Sequence, residues 1–138
     1  MPGEVGGGSG GTYIGRVMEP DLRPRVLFVE DDPGLRMSYE RFFGSRVEPL
    51  FAATGAEALV LVREHRPAAA VLDLRLPDTD GVSVFRRIRE RHPGLSIIIT
   101  TGYPDAEPHL RALGLSYHAF LAKPLDLHEL AAAIDAVC

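Results

Sequence analysis

The sequence has almost no cysteine and no long apolar run. Cys138 is the only cysteine and the last residue, so an internal disulfide is excluded and a reducing compartment fits. No apolar stretch approaches the roughly 18 residues of a membrane-spanning helix, and the amino terminus lacks the basic and apolar regions of an export signal. We therefore expect a cytoplasmic protein that does not enter a membrane.

The sequence also lacks an excess of basic residues. The formal net charge is -4 at pH 7 and the isoelectric point is about 5.7. Such a chain lacks the counterion-release term that drives proteins onto nucleic acids. The charge pattern therefore predicts no basic face and no direct nucleic-acid binding by this chain.

The composition that remains is that of one folded domain. Hydrophobic residues make up 46% of the chain and charged residues 25%, which is ordinary for a globular protein and argues against disorder. Residues 1–24 contain the stretch GEVGGGSGG and almost no apolar periodicity. We expect them to be a flexible tail, either a vector remnant or the result of a start assigned too early. The folded domain is predicted to cover residues 25–138.

Short apolar runs alternate with amphipathic stretches in this domain. Several runs are apolar at consecutive positions, which is typical of strands covered on both faces of a parallel sheet. The runs are VLFV (26–29), VEPLF (47–51), AAVL (69–72), SIII (96–99) and AFLA (119–122). A stretch with helical spacing follows each run. The first begins after the cap candidates Asp31 or Asp32, and the second begins after Thr54, which with Glu57 forms a possible capping box. The others run from about Gly81 to His92, near residues 104–113, and after the cap candidate Asp126. Right-handed crossovers then predict a (βα)5 α/β fold with a doubly wound parallel sheet.

Polar side chains stand at the carboxyl ends of the predicted strands. They are Glu30, Asp31 and Asp32 after the first run, Asp73 after the third, Thr100 and Thr101 after the fourth, and Lys123 after the fifth. Ligands of open α/β sheets bind at this edge, so these residues should share one cleft.

The types of these residues favour phosphoryl chemistry. Neighbouring carboxylates repel one another, and Mg²⁺ binds carboxylates while keeping waters and phosphate oxygens. A carboxylate can itself be phosphorylated when a metal and a fixed cation offset the charge. Asp73 could be that nucleophile, Lys123 the cation and Thr101 a hydrogen-bond donor.

Each of these residues also has a purely structural explanation. Acids before a helix commonly cap it, a threonine at a strand end commonly makes a turn, and a lysine before proline is commonly solvated. The stretch DTDG (78–81) resembles part of a calcium loop, but no glutamate follows at the required spacing, so it predicts a turn. Only the joint pattern favours a phosphoryl-transfer site.

The segments VLFVEDD, LDLRLPDTDG, IIITTG and FLAKP resemble the receiver domain of bacterial two-component response regulators in order and spacing. The resemblance covers about residues 24–138 and implies a flavodoxin-like fold with strand order 2-1-3-4-5. It implies that Asp73 is the phosphoacceptor, since a proline and a glycine follow at the family's spacing. It also implies that Lys123 is the conserved-type lysine, with a cis peptide bond to Pro124 that aims the ammonium inward.

The same resemblance implies a magnesium site. Glu30 and Asp31 match the acidic pair, and Asp31 is the favoured direct ligand. Asp32 remains a rival, because the acidic run is three residues long and the register could slip by one. Asp73 itself and the backbone carbonyl of Arg75 complete the implied ligand set.

A switch and a set of partners are implied as well. Thr101 matches the switch hydroxyl, and Phe120 either matches the switch aromatic or is a core phenylalanine. A sensor histidine kinase or phosphotransfer protein would donate the phosphoryl group. The fourth helix, fifth strand and fifth helix would form a partner or homodimer surface. The domain would be regulatory, not an enzyme, and would assist only its own phosphotransfer and dephosphorylation.

Some positions depart from the family pattern. Ser116 and Tyr117 stand where a Gly-Ala pair is common, and the bulky Arg75 and Tyr103 flank the site, where they would shield a phosphoryl group from water. A receiver-like adaptor that binds partners without phosphorylation is the alternative function, and the complete residue set argues against it. A phosphatase or flavin-binding domain is disfavoured by the absent DxDxT motif and the acid-rich first loop.

Overall fold

A parallel five-stranded sheet forms the centre of the protein in a computed structural model that describes residues 22–138. The strands are β1 Arg25–Val29, β2 Glu48–Ala52, β3 Ala69–Asp73, β4 Ser96–Thr101 and β5 Ala119–Ala122. Their order is β2-β1-β3-β4-β5 and every pairing is parallel. The predicted fold class and strand order are therefore confirmed. Residues 1–21 of the predicted tail lie outside the described residues.

Five α-helices alternate with these strands in the described part of the chain. They are α1 Pro33–Phe43, α2 Gly55–His65, α3 Gly81–Arg91, α4 Glu107–Ala112 and α5 Leu127–Val137. Within residues 22–138, each helix is too short or too polar to cross a membrane.

The fourth helix starts later than its predicted bound near residue 104. Pro104–Ala106 form a 3-10 turn, and α4 begins only at Glu107. A proline has no N–H for an intrahelical bond and is tolerated only in the first helical turn. Pro108 therefore confines the regular helix to the residues around and after it.

Side-chain caps begin the other helices where the sequence predicts them. Asp32 caps α1, and its carboxylate accepts a hydrogen bond from the Gly34 amide at 3.0 Å. Thr54 caps α2 by accepting from the Glu57 amide at 3.1 Å. Asp126 caps α5. The choice between Asp31 and Asp32 as the first cap is thus resolved in favour of Asp32.

Alternate side chains of the strands pack into two separate apolar layers. In β1, Val26 and Phe28 belong to the layer that includes residues of α1 and α5, whereas Leu27 and Val29 belong to the layer under α2, α3 and α4. Because both faces of the strand are covered, the four consecutive residues are all buried. This arrangement explains why the strands appear in the sequence as continuous apolar runs.

The loop between β3 and α3 returns so closely to β3 that only glycine fits at its end. A Cβ atom on Gly81 would lie 2.5 Å from the backbone oxygen of Leu74, and the Gly81 amide donates to that same oxygen at 3.0 Å. This contact fixes the path of the residues that directly follow Asp73.

We predict that Gly81→Ala destabilises the protein by about 1–3 kcal/mol, because the added methyl group overlaps rigid backbone. Gly94→Ala is the matched control, since a Cβ atom there has no neighbour within 4 Å. The control should be neutral, or more stable by up to about 1 kcal/mol through the unfolded state. Urea unfolding of both variants measures the difference, and equal losses would contradict the close approach.

Candidate functional site

Two buried carboxylates and one lysine meet at the carboxyl edge of the sheet. Asp73 ends β3, Glu30 follows β1 and Lys123 follows β5. The Lys123 Nζ donates to Asp73 Oδ2 at 3.0 Å and to Glu30 Oε1 at 2.9 Å. The exposed fractions of Glu30 and Asp73 are only 1% and 4%, so these charges interact through little water. Lys123 is the only lysine in the sequence, and its peptide bond to Pro124 is cis, as the resemblance implied.

The backbone holds the remaining oxygen of each carboxylate. The Arg75 amide donates to Asp73 Oδ1 at 3.0 Å, and the Asp32 amide donates to Glu30 Oε2 at 3.2 Å. Each buried carboxylate therefore has a fixed orientation, set on one side by the ammonium and on the other by its own loop.

Burial and charge shift the pKa values of this group. Burial raises the pKa of Glu30, and the charge of Asp73 adds to that effect while the hydrogen bond from Lys123 opposes it. For Lys123, burial acts to lower the pKa, but its hydrogen bonds to Glu30 and Asp73 outweigh burial and raise the pKa. The ammonium is therefore a permanent cation at neutral pH.

The positive charge of Lys123 does not balance the negative charge of the three neighbouring carboxylates. One carboxylate oxygen from each of Glu30, Asp31 and Asp73 lies within 4.8 Å of the others. Lys123 offsets only one of these three charges, and a bound cation would relieve the repulsion that remains. The donors are all hard oxygens, two buried and one exposed, which fits Mg²⁺. Asp31 joins this cluster, whereas the Asp32 side chain is engaged as the cap of α1.

Thr101 and Phe120 lie in strands next to the cluster. Thr101 is buried at the end of β4, and its Oγ1 accepts a hydrogen bond from the Tyr103 amide at 3.0 Å. Within residues 22–138 its hydroxyl makes no hydrogen bond to Asp73. Phe120 is half-buried against the layer under α2, α3 and α4, with its ring 6.0 Å from that of Tyr117. Neither geometry tests the predicted switch roles, which stay predictions.

Arg75, in the loop after β3, contacts Tyr103, in the loop after β4. The Arg75 guanidinium lies 4.8 Å from the centre of the Tyr103 ring and donates to its hydroxyl. Together with Thr101 and Leu74 they line a cavity of about 320 Å³. The sequence predicts that both residues flank the site, but the direct contact between them follows only from the structure.

Two buried hydroxyl groups lie near the cluster, and the sequence predicts only that of Thr100 at this edge of the sheet. Tyr39 of α1 is fully buried, and burial together with the charges of Glu30 and Asp73 raises its pKa far above the usual value, so the phenol stays protonated. Thr100 is the sheet partner of Asp73 in β4. Neither hydroxyl has a hydrogen-bond partner among the described residues. Helical spacing predicts Tyr39 only as an inward-facing residue.

Asp78 ties the loop after Asp73 to α2. Its carboxylate accepts hydrogen bonds from the amides of Gly55 at 2.8 Å and Ala56 at 3.1 Å, at the start of that helix. Asp80 of the same DTDG stretch caps α3 by accepting from Val82. The chain bends at Asp78 and Thr79 before α3, and both acids of the stretch accept hydrogen bonds from amides at the start of a helix.

We predict that Asp78→Asn lowers the melting temperature by a few degrees at neutral pH. The hydrogen bonds from Gly55 and Ala56 lower the pKa of Asp78. A lowered pKa stabilises the fold above the unfolded value and loses that contribution as the pH falls through the folded value. The difference between parent and variant, measured by thermal melts, should therefore shrink in strong acid. A difference that stays constant down to the acid limit would exclude the charged cap.

A parallel sheet in the order 2-1-3-4-5, with acids and a lysine gathered at its carboxyl edge, defines the class of flavodoxin-like signalling domains. The family described as the response regulator receiver domain matches residues 26–135. The chain belongs to this family and is a regulatory domain of two-component signalling.

Similar proteins agree with this assignment. The chain is 36% identical over 116 residues to the response regulator MprA of Mycobacterium sp. (strain KMS), covering 82% of this chain and 50% of that protein. It is 36% identical over 117 residues to the transcriptional regulatory protein PrrA of Mycobacterium tuberculosis, covering 83% of this chain and 49% of that protein. The chain thus spans about half the length of these relatives.

Solved structures show the same fold. The CheY-like receiver domain protein of Methanospirillum hungatei superposes with a TM-score of 0.76 at 27% identity, covering 83% of this chain and 92% of that one. The non-phosphorylated HemR receiver domain of Leptospira biflexa gives a TM-score of 0.74 at 34% identity, covering 83% of this chain and 94% of that one.

Proposed function

We propose that Asp73 accepts a phosphoryl group and that this modification is the signal the domain carries. The observation that supports this proposal is the fixed, buried Asp73 carboxylate bound by Lys123 beside two further acids. A purely structural ion pair needs one carboxylate for Lys123, whereas this cluster brings three together, two of them buried. The repulsion among them costs stability, so their gathering favours a functional role.

In the proposed reaction, an oxygen of Asp73 attacks the phosphorus of a phosphohistidine. The new oxygen–phosphorus bond forms as the phosphorus–nitrogen bond breaks, and the electron pair returns to the imidazole, which takes up a proton from solvent. Lys123 offsets the negative charge that remains near the aspartyl oxygens. Thr101 would donate its hydroxyl hydrogen to the acyl phosphate, since its oxygen already accepts from the backbone.

Receiver domains bind Mg²⁺ at an acidic site, and the donor set of this chain fits that ion. Glu30, Asp31, Asp73 and the carbonyl of Arg75 would hold it. When bound, Mg²⁺ supplies Lewis-acid stabilisation of the phosphoryl oxygens. The exposed Asp31 supplies a carboxylate at the solvent side of the cluster, where an ion and a phosphodonor enter.

Receiver domains of response regulators interact with histidine kinases or phosphotransfer proteins. We propose that a protein of this kind donates the phosphoryl group to this chain and that the transfer takes place in the cytoplasm. The chain would catalyse no reaction beyond its own phosphotransfer and dephosphorylation. Thr101 and Phe120 would carry the change to the face of α4, β5 and α5, where a partner or a second copy would bind. Direct nucleic-acid binding is not part of the proposed role of residues 22–138.

We predict that incubation with acetyl phosphate and Mg²⁺ adds the mass of one phosphoryl group to the parent protein. Asp73→Asn should gain none, because its amide cannot form the acyl phosphate, and a chelator should prevent the gain in the parent. Asp31→Asn should react more slowly, whereas Asp135→Asn, which changes an exposed acid of α5, should react normally.

Intact mass spectrometry separates the outcomes. Equal labelling of Asp73→Asn would place the acceptor elsewhere. A folded parent that stays unlabelled with a competent donor would favour the adaptor that binds partners without phosphorylation.

We predict that Arg75→Ala combined with Tyr103→Ala shortens the lifetime of the acyl phosphate severalfold. The Arg75–Tyr103 pair lines the cavity beside Thr101 and would limit the access of water to the acyl phosphate. Arg36→Ala is the matched control, because this arginine also lies over an aromatic ring, that of Phe51 at 5.6 Å, but in another part of the fold. The decay of the phosphorylated mass measures the lifetime, and an unchanged decay in the double variant would remove the shielding role.

A further inference from the structure

The furrow between α2 and α3 carries a cluster of arginines. Two adjoining cavities form it: Arg63 of α2 and Arg87 and Arg91 of α3 line the narrower one, and Arg66 after α2 and Arg91 line the wider one. Its wider part has a volume of about 560 Å³. We call this furrow and its four arginines the arginine groove. The charge pattern of the sequence predicts no basic face, and this prediction is wrong. The packing of α2 against α3 brings two pairs of arginines together that are more than twenty residues apart in the sequence.

Most guanidinium groups of the arginine groove have no acidic partner within residues 22–138. Arg63 lies 3.8 Å from Glu64, its neighbour in the chain, and both side chains are exposed. Such a surface pair contributes little to stability. In the same part of the chain, no ion pair or side-chain hydrogen bond is made by the other three, Arg66, Arg87 and Arg91.

Arg89 shows what an arginine of α3 does when its role is structural. Its guanidinium donates to the backbone oxygens of Leu95 at 2.7 Å and Ser116 at 2.8 Å, and burial lowers its pKa. Among residues 22–138, the groove arginines lack such carbonyl partners. A cation in the last helical turn interacts favourably with the helix dipole, which accounts for Arg91 but not for Arg87 in the middle of α3.

The lining of the arginine groove is partly apolar. Leu59 and Val62 of α2 and Leu95 after α3 line it between the arginines. A cationic rim over apolar side chains complements a polypeptide segment that presents carboxylates with an apolar residue between them.

Nucleic acid is a poorer match for the same surface. A nucleic-acid backbone presents phosphates and sugars but no apolar side chain that could pack against Leu59 and Leu95. A peptide can place carboxylates against the arginines and an apolar residue against these leucines at the same time. The mixed lining therefore favours an acidic peptide with apolar residues.

We propose that the arginine groove binds an acidic, partly apolar segment of a partner polypeptide. The wider part of the groove lies at the carboxyl ends of α2 and α3, whereas Asp73 lies at the carboxyl end of β3, at the opposite edge of the sheet. Binding there leaves the phosphoacceptor accessible, so this proposal stands independently of the proposed function.

The test measures fluorescence anisotropy of a labelled peptide of about twelve residues, rich in glutamate with interspersed leucine. Arg87→Glu with Arg91→Glu should weaken binding by about tenfold or more, which corresponds to about 1.4 kcal/mol. Arg41→Glu with Arg46→Glu makes the same charge change at exposed positions outside the groove and should alter binding by no more than about twofold. A peptide with glutamine in place of glutamate should not bind.

Three results would overturn the proposal. One is a parent protein that does not bind the acidic peptide at low salt, and another is an equal loss in both charge-reversed variants. The third is tighter binding of a labelled DNA duplex than of the peptide at the same salt concentration. Circular dichroism and thermal melting check that the groove variant is folded. If it is not, Arg87→Gln with Arg91→Gln is judged by the same criteria.

Discussion

The ion pairs of Lys123 with Glu30 and Asp73 are the constraint on which the rest of the structure depends. Removing such charges from water costs several kcal/mol per ion, and the cost is offset only when the partners meet with good geometry. The three residues come from the ends of β1, β3 and β5, so only a sheet that aligns those ends can satisfy them. The strand order observed here does so, with contacts of 2.9 and 3.0 Å. Loss of one partner would leave buried charge uncompensated.

The loop after Asp73 converts this charge balance into a defined site. Gly81 lets the loop return to the backbone of Leu74, and Asp78 fastens its middle to the start of α2. The path of the loop is therefore set from two sides, and the Arg75 amide meets Asp73 Oδ1 as a result. The geometry around the candidate phosphoacceptor thus depends on packing that lies outside the acid cluster itself.

Sequence reasoning reached the fold and the strand-end residues because both leave local signals. A strand buried on both faces must be apolar at consecutive residues, and a polar residue directly after it stands at the carboxyl edge of the sheet. Contacts between distant loops leave no such signal, so the stacking of Arg75 on Tyr103 and the placement of Tyr39 near the acids were not predicted. The resemblance favours Asp31 over Asp32 as the metal ligand but leaves both open, because only the geometry of the α1 cap separates them.

The distribution of charge was the least predictable feature, since net charge averages over opposite edges of one sheet. Acids concentrate where the strands end, and arginines concentrate where α2 and α3 end. Helix dipoles favour this separation, because the carbonyl ends of the helices attract cations. A net charge of -4 is therefore compatible with a cationic groove. Since the two edges do not overlap, a partner on the groove and a phosphodonor at Asp73 would not exclude one another. They are joined by α3, which begins at Gly81 of the loop after Asp73 and carries Arg87 and Arg91 of the groove.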